Sequence, residues 1–194
     1  LPGVEVLTKE DIPSTESKEQ KENTRDVQKA VLRNPWVWIL ALSSSFMYIS
    51  RYAINGWGVL FLQESKGFSL ESAIQIISIN ALLGIFGTIF SGWISDKLFK
   101  GNRNLPAFLF GALNTLSLCL FLYSGDNIYI NMLSMVLFGT AIGVLICFLG
   151  GLMAVDIVPR NASGAALGIV GIASYVGAGI QDIVSGWLID SSKT

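Results

Sequence analysis

Residues 34–62 read NPWVWILALSSSFMYISRYAINGWGVLFL, and this stretch decides the fold. About 20 residues of helix cross the ~30 Å hydrocarbon core of a bilayer, so it is long and apolar enough to span one. Arg51 sits near its middle. A guanidinium keeps its proton in a protein, so it does not escape burial by becoming neutral. Placing it mid-span costs roughly 2.5–3.5 kcal/mol on insertion scales, which marks it as a functional candidate. Steps of three and four residues put Ser44, Tyr48, Arg51, Asn55 and Gly58 on one helix face, with Ile39, Leu42, Phe46, Ile49, Ala53 and Leu60 on the others. Such a polar stripe belongs in a bundle interior or a water-filled cavity. Two readings of Arg51 stand side by side: it faces a ligand, or it pairs with a buried carboxylate.

The rest of the chain extends this pattern. Hydrophobic residues make up 52% of the 194 residues and charged residues only 14%, the balance of a polytopic membrane protein. The net charge of −1 implies no nucleic-acid partner. There is no His, and Cys119 and Cys147 fall in apolar runs, where they act as small hydrophobes. No nucleophile elbow, metal cluster or phosphate-cradling loop is present, so neither an enzyme nor a cofactor or metal is expected.

Residues 1–33 are rich in Glu, Lys, Ser and Thr and are expected to form a flexible linker, with a short surface helix from about Thr24 to Leu32. Asn34 is placed to cap the first span, with Pro35 in its first turn, and Trp36 and Trp38 fall where an aromatic belt would lie. Spans are expected at about 35–62, 70–94, 105–123, 128–155 and 162–189. The loops between them are short, which predicts antiparallel neighbours in an up-down, all-α bundle. Lys9, Lys18, Lys21, Arg25, Lys29, Arg33, Lys97, Lys100, Arg103 and Arg160 collect on one side, against Lys66 and Lys193 on the other. That asymmetry puts residues 1–33 in the cytoplasm. Gly84, Gly87 and Ser91, then Gly139 and Gly143, then Gly164, Gly168, Gly171, Gly177 and Gly179 recur at helical spacing and predict close helix packing. The start at Leu1 rather than Met predicts a piece of a longer protein.

The second inter-span loop reads Gly92-Trp93-Ile94-Ser95-Asp96-Lys97-Leu98-Phe99-Lys100-Gly101-Asn102-Arg103. Asp96 can accept hydrogen bonds from a helix N-terminus or pair with a nearby Arg. The pattern G-x-x-x-D-K-x-x-x-G-N-R resembles the cytoplasmic-loop signature of the major facilitator superfamily. Within it, Phe46 to Tyr52, this loop, and Pro159 to Gly164 ahead of a glycine-rich span resemble the organophosphate:phosphate antiporter family, which includes glycerol-3-phosphate and hexose-phosphate transporters.

The resemblance covers about residues 34–190. It implies the C-terminal half of a major facilitator fold, spans seven to eleven of twelve, with residues 1–33 as the central cytoplasmic linker. It implies a secondary transporter in a bacterial inner membrane that exchanges a phosphorylated sugar or polyol, here a hexose phosphate, for inorganic phosphate. The missing N-terminal half and the lipid bilayer are the other partners. Arg51 takes the position of the family's phosphate-binding Arg in its R-Y pair, and Tyr48 and Tyr175 match cavity-lining aromatics. Around Asn80-Ala81 the glycerol-phosphate members carry aromatic and acidic residues that this chain lacks. Gly92, Asp96, Lys97, Gly101 and Arg103 would form inner-face gate contacts. Two other functions are weighed: a membrane sensor of external hexose phosphate with the same fold, and a proton-coupled facilitator for another organic anion.

Four polar residues remain open between roles. Asn55, Asn80 and Asn114 either contact sugar hydroxyls or tie helices together. Asp182 either sits hydrated near the outer surface, bonded to Gln181 or Ser185, or pairs with Arg51 or selects among sugar hydroxyls.

Overall fold

The structure is a computed structural model that describes residues 26–192. Expectations for residues 1–25 and for Lys193 lie outside the described residues. Residues 26–33 are helical (α1). Six further helices follow: α2 (Pro35–Lys66), α3 (Leu70–Trp93), α4 (Asn104–Tyr123), α5 (Ile128–Cys147), α6 (Met153–Asp156) and α7 (Ser163–Ser192). π-helical turns at Ile94–Leu98 and Phe148–Leu152 extend α3 and join α5 to α6, and a 3-10 turn at Arg160–Ala162 precedes α7. Five of the resulting helical runs are long and apolar enough to cross a membrane.

Local chemistry sets the helix ends. The Asn34 Oδ1 accepts from the Trp36 N–H at 3.0 Å, with Pro35 in the first turn of α2. The helix α2 runs to Lys66, four residues beyond the expected end at Leu62, and is stopped by Gly67 with φ 71°. The N–H groups of Gly67 and Phe68 there bond back to Gln63 O and Leu62 O, an arrangement that only a residue free of a Cβ adopts without strain. Ser69 caps α3 and Asn127 caps α5.

The lateral order differs from a simple up-down meander. The helix α2 packs on α7, and α3 packs on α5. Although α4 follows α3 in the chain, α4 also packs on α5. A short loop fixes direction, not partner; the partner is set by where backbones can approach. A Cβ on Gly139 would run into the backbone of Asn80, and one on Gly143 into that of Gly84. Along α7 the expectation of close packing fails for most glycines. Gly164, Gly168, Gly171 and Gly179 have open space where a Cβ would go, whereas Gly177 lies against Ser45 of α2.

Two apolar clusters result. One is built around Met47, Ile54, Leu62, Ile76, Phe121, Met135 and Phe138. The other joins Val31 of α1 to Val37, Leu40, Ala154, Ala162, Ala166 and Val170, so the end of α1 is docked on the bundle. At the far end of α2, Lys66 donates to Asn131 Oδ1 at 2.7 Å, to Ser124 Oγ at 3.0 Å and to the Phe121 carbonyl. Three helix ends are joined there by one ammonium whose three protons are all used.

Candidate functional site

The helix α2 carries Tyr48, Arg51, Tyr52 and Asn55 into the space between α3 and α7. Arg51 is half-buried, and its guanidinium carbon lies 5.8 Å from the Tyr48 ring centroid and 6.0 Å from that of Tyr52. Aromatic faces stabilise a cation at this range without neutralising it. Tyr175 of α7 closes the cluster, edge-on to Tyr48 at 5.4 Å and to Tyr52 at 6.4 Å. Among the described residues no carboxylate comes within ion-pair distance of Arg51. The alternative of a structural Arg paired to a buried carboxylate therefore finds no partner among them.

On the other side of Arg51 an open groove of about 470 Å³ runs along α3 and α5, lined also by Asn55, Asn80, Gly84, Thr88 and Gly143. The glycines that let α3 and α5 meet also leave room here. Asn80, 7% exposed, donates to Asn55 Oδ1 at 3.2 Å and to Ile77 O at 2.6 Å. Asn80 is thus a tie between α2 and α3, while Asn55 is exposed and its amide nitrogen makes no bond among the described residues. Thr88 donates to Gly84 O at 2.9 Å and Gly143 O at 3.1 Å.

The stripe read along α2 splits in space. Ser44 is fully buried against Ser174 of α7, their hydroxyl oxygens 2.8 Å apart, and Gly58 is buried against Ile77 of α3. Of the stripe, only Arg51 and Asn55 line the groove, while Tyr48 is half-buried beside Arg51 and packs on the Met47 cluster. Asp182 is exposed and lies against Gly56, beyond Asn55 along α2. It forms no ion pair with Arg51. The hydrogen bond expected of it belongs instead to its neighbour: Gln181 donates to Ser185 at 2.8 Å. Asn114 reaches Ser50 at 3.4 Å, on the face of α2 turned to α4 and away from the groove.

At the end of the bundle where α2 begins, Gly101 has φ 79° and closes the turn after the π-helical residues. Asp96 and Lys97 are exposed, and Asp96 takes neither an Arg nor a helix N-terminus as partner among the described residues. The ion pair is made by Arg103, which donates to Asp156 at 2.5 Å and to Leu152 O at 3.0 Å. Arg103 thereby ties the start of α4 to α6. Gly92 has open space around it.

The sequence reading does not single out Tyr52 as a ring neighbour of Arg51 or Thr88 as a groove residue. Tyr52 was detectable, being one turn from Tyr48 at spacing i, i+4. Thr88 gave no signal, because a lone Thr in an apolar run reads as a back-bonded surface hydroxyl.

Residues 5–189 match the family model described as Major Facilitator Superfamily. The chain is 31% identical, over 96% of its length, to a glycerol-3-phosphate transporter of Haemophilus influenzae, of which it covers 43%. It is 37% identical over 82% of its length to the membrane sensor protein UhpC of Salmonella typhimurium, covering 35% of that protein. It is 35% identical over 84% of its length to a probable hexose phosphate transport protein of Chlamydia pneumoniae, covering 36%. The chain spans less than half the length of these curated relatives.

Proposed function

Because the chain belongs to the major facilitator superfamily, and its relatives match the organophosphate:phosphate antiporter family within it, we propose that the full-length protein is a secondary transporter. It exchanges a phosphorylated sugar or polyol for inorganic phosphate across a bacterial inner membrane. The observation that carries this reading is Arg51: a permanent cation within a span, facing open space, held by tyrosine rings and by no acid among the described residues.

A phosphate monoester brings about −1.5 to −2 charge at neutral pH. Arg grips it with two parallel hydrogen bonds. One guanidinium under-neutralises a dianion, so a second cation comes from the N-terminal half of the full-length protein. Tyr48, Tyr52 and Tyr175 wall the site, and Asn55 and the Asn80 tie offer amide groups to the hydroxyl-bearing part of the substrate. Asp182 stands further along the same opening and meets the most distant hydroxyls. An amide-lined groove without acidic or aromatic residues near Asn80 suits a hexose phosphate. Residues 1–33 form the cytoplasmic linker between the halves. Rocking of one half against the other about a midplane site gives alternating access, with Gly92, Asp96, Lys97, Gly101 and Arg103 at the inner gate.

A membrane sensor is the second reading, favoured by the 37% identity to the membrane sensor protein UhpC. Full-length protein in liposomes loaded with labelled phosphate separates the two. Efflux triggered by external glucose 6-phosphate but not by glucose, and lost in Arg51→Lys, supports antiport. Binding of the sugar phosphate without efflux supports the sensor.

A further inference from the structure

A second charged recess lies away from the Arg51 groove, where α1 meets α2. It has a volume of about 620 Å³ and is lined by Asp26, Lys29, Arg33, Asn34 and Trp36 among others. We propose that this recess binds the headgroup of an anionic phospholipid of the leaflet next to the α1 end of the bundle.

Val27 and Val31 dock one side of α1 on the bundle, Val31 being 3% exposed. Their docking turns Lys29 and Arg33, one helical turn apart, outward together. The chain then breaks at Asn34 and enters the first membrane-crossing helix at Pro35. Trp36 and Trp38 are 65% and 52% exposed in the first turns of that helix, and the Trp38 indole donates to Leu32 O at 2.8 Å. The recess therefore lies at the level of the interface, where Trp side chains prefer to sit.

Its chemistry fits a phosphodiester. Arg33 has no ion-pair partner among the described residues. Lys29 meets Asp26 at 3.7 Å, but both side chains are more than two-thirds exposed, and such a pair is readily exchanged for another anion. Exposed Leu32 and Trp36 flank the charges, an apolar border that a glycerol backbone and acyl chain would cover and a free phosphate ion would not. Juxtamembrane cations attract anionic lipid by roughly fivefold in occupancy per charge.

The test uses the full-length protein in phosphatidylcholine vesicles titrated with brominated phosphatidylglycerol. Quenching due to Trp36 is the difference between wild type and Trp36→Phe. The expected result is quenching at lower mole fraction than with brominated phosphatidylcholine. The mole fraction needed should rise roughly fivefold or more in Lys29→Gln/Arg33→Gln, fall in Asp26→Asn, and stay unchanged in the charge-retaining Lys29→Arg/Arg33→Lys. Equal quenching by the two lipids, or an unchanged titration in the double Gln variant, overturns the proposal. So does loss of the preference on adding millimolar inorganic phosphate, which would make the recess a site for the free ion.

Discussion

The Tyr48 ring of α2 and the Tyr175 ring of α7 meet edge to face, with centroids 5.4 Å apart and planes at 69°. This contact joins the helix that carries Arg51 to the helix that carries Asp182. Edge-to-face pairs contribute about 0.5–1.5 kcal/mol beyond their buried area. A double-mutant cycle with Tyr48→Leu and Tyr175→Leu, read by denaturation in detergent, is predicted to give a coupling energy in that range. Additive losses would mean that the two rings do not sense each other.

The α3–α5 contact makes a sharper prediction. A Cβ at Gly143 would meet the backbone of Gly84 and Gly87, whereas one at Gly111 of α4 meets nothing within 4 Å. Gly143→Ala should cost about 1–3 kcal/mol, the usual penalty of overpacking. Gly111→Ala should be neutral or stabilising by up to about 1 kcal/mol, from helix propensity alone. Unfolding midpoints of the two variants in the same detergent give the comparison.

Lys66 should matter for folding, not for ligand. Lys66→Met removes one charged donor from three acceptors, although Ser124 still reaches Asn131 Oδ1 at 2.9 Å. The expected loss is about 1.5–3 kcal/mol, typical of hydrogen bonds to a charged group, with unchanged ligand affinity. Chemical denaturation and a ligand titration of the same sample test both halves of this statement.

The Arg103–Asp156 pair is partly exposed, at 26% and 50% for the two side chains. Its coupling should be modest, about 0.2–1 kcal/mol, and reduced by salt. Asp156→Asn should therefore cost little stability, while Arg103→Ala also loses the bond to Leu152 O and should cost more. Equal losses would show that the carbonyl bond adds nothing.

Much of this architecture could be read from the sequence because spanning length, caps and loops are local properties. Asn34, Pro35 and the apolar run after them define where α2 starts without reference to any other helix. Lateral order is not local. It depends on which glycines meet which backbone, and nothing along the chain distinguishes Gly143, pressed against α3, from Gly168, which faces open space. The same limit split the polar stripe of α2. Ser44, Arg51 and Gly58 share a face by periodicity, yet they meet α7, the groove and α3 respectively. Arg51 could be found because a mid-span charge is rare. The Arg103–Asp156 tie and the Lys66 network required knowing which helix ends lie together.

The central claim is that Arg51 binds the phosphoryl group, and direct binding tests it without depending on transport. Isothermal titration of purified full-length protein with glucose 6-phosphate and with glucose would be compared for wild type and Arg51→Gln. Wild type should bind the phosphorylated sugar and not glucose, and Arg51→Gln should weaken that binding by roughly 10- to 150-fold, the loss of about 1.5–3 kcal/mol from a charged hydrogen bond. Wild-type affinity in a folded Arg51→Gln protein would contradict the account.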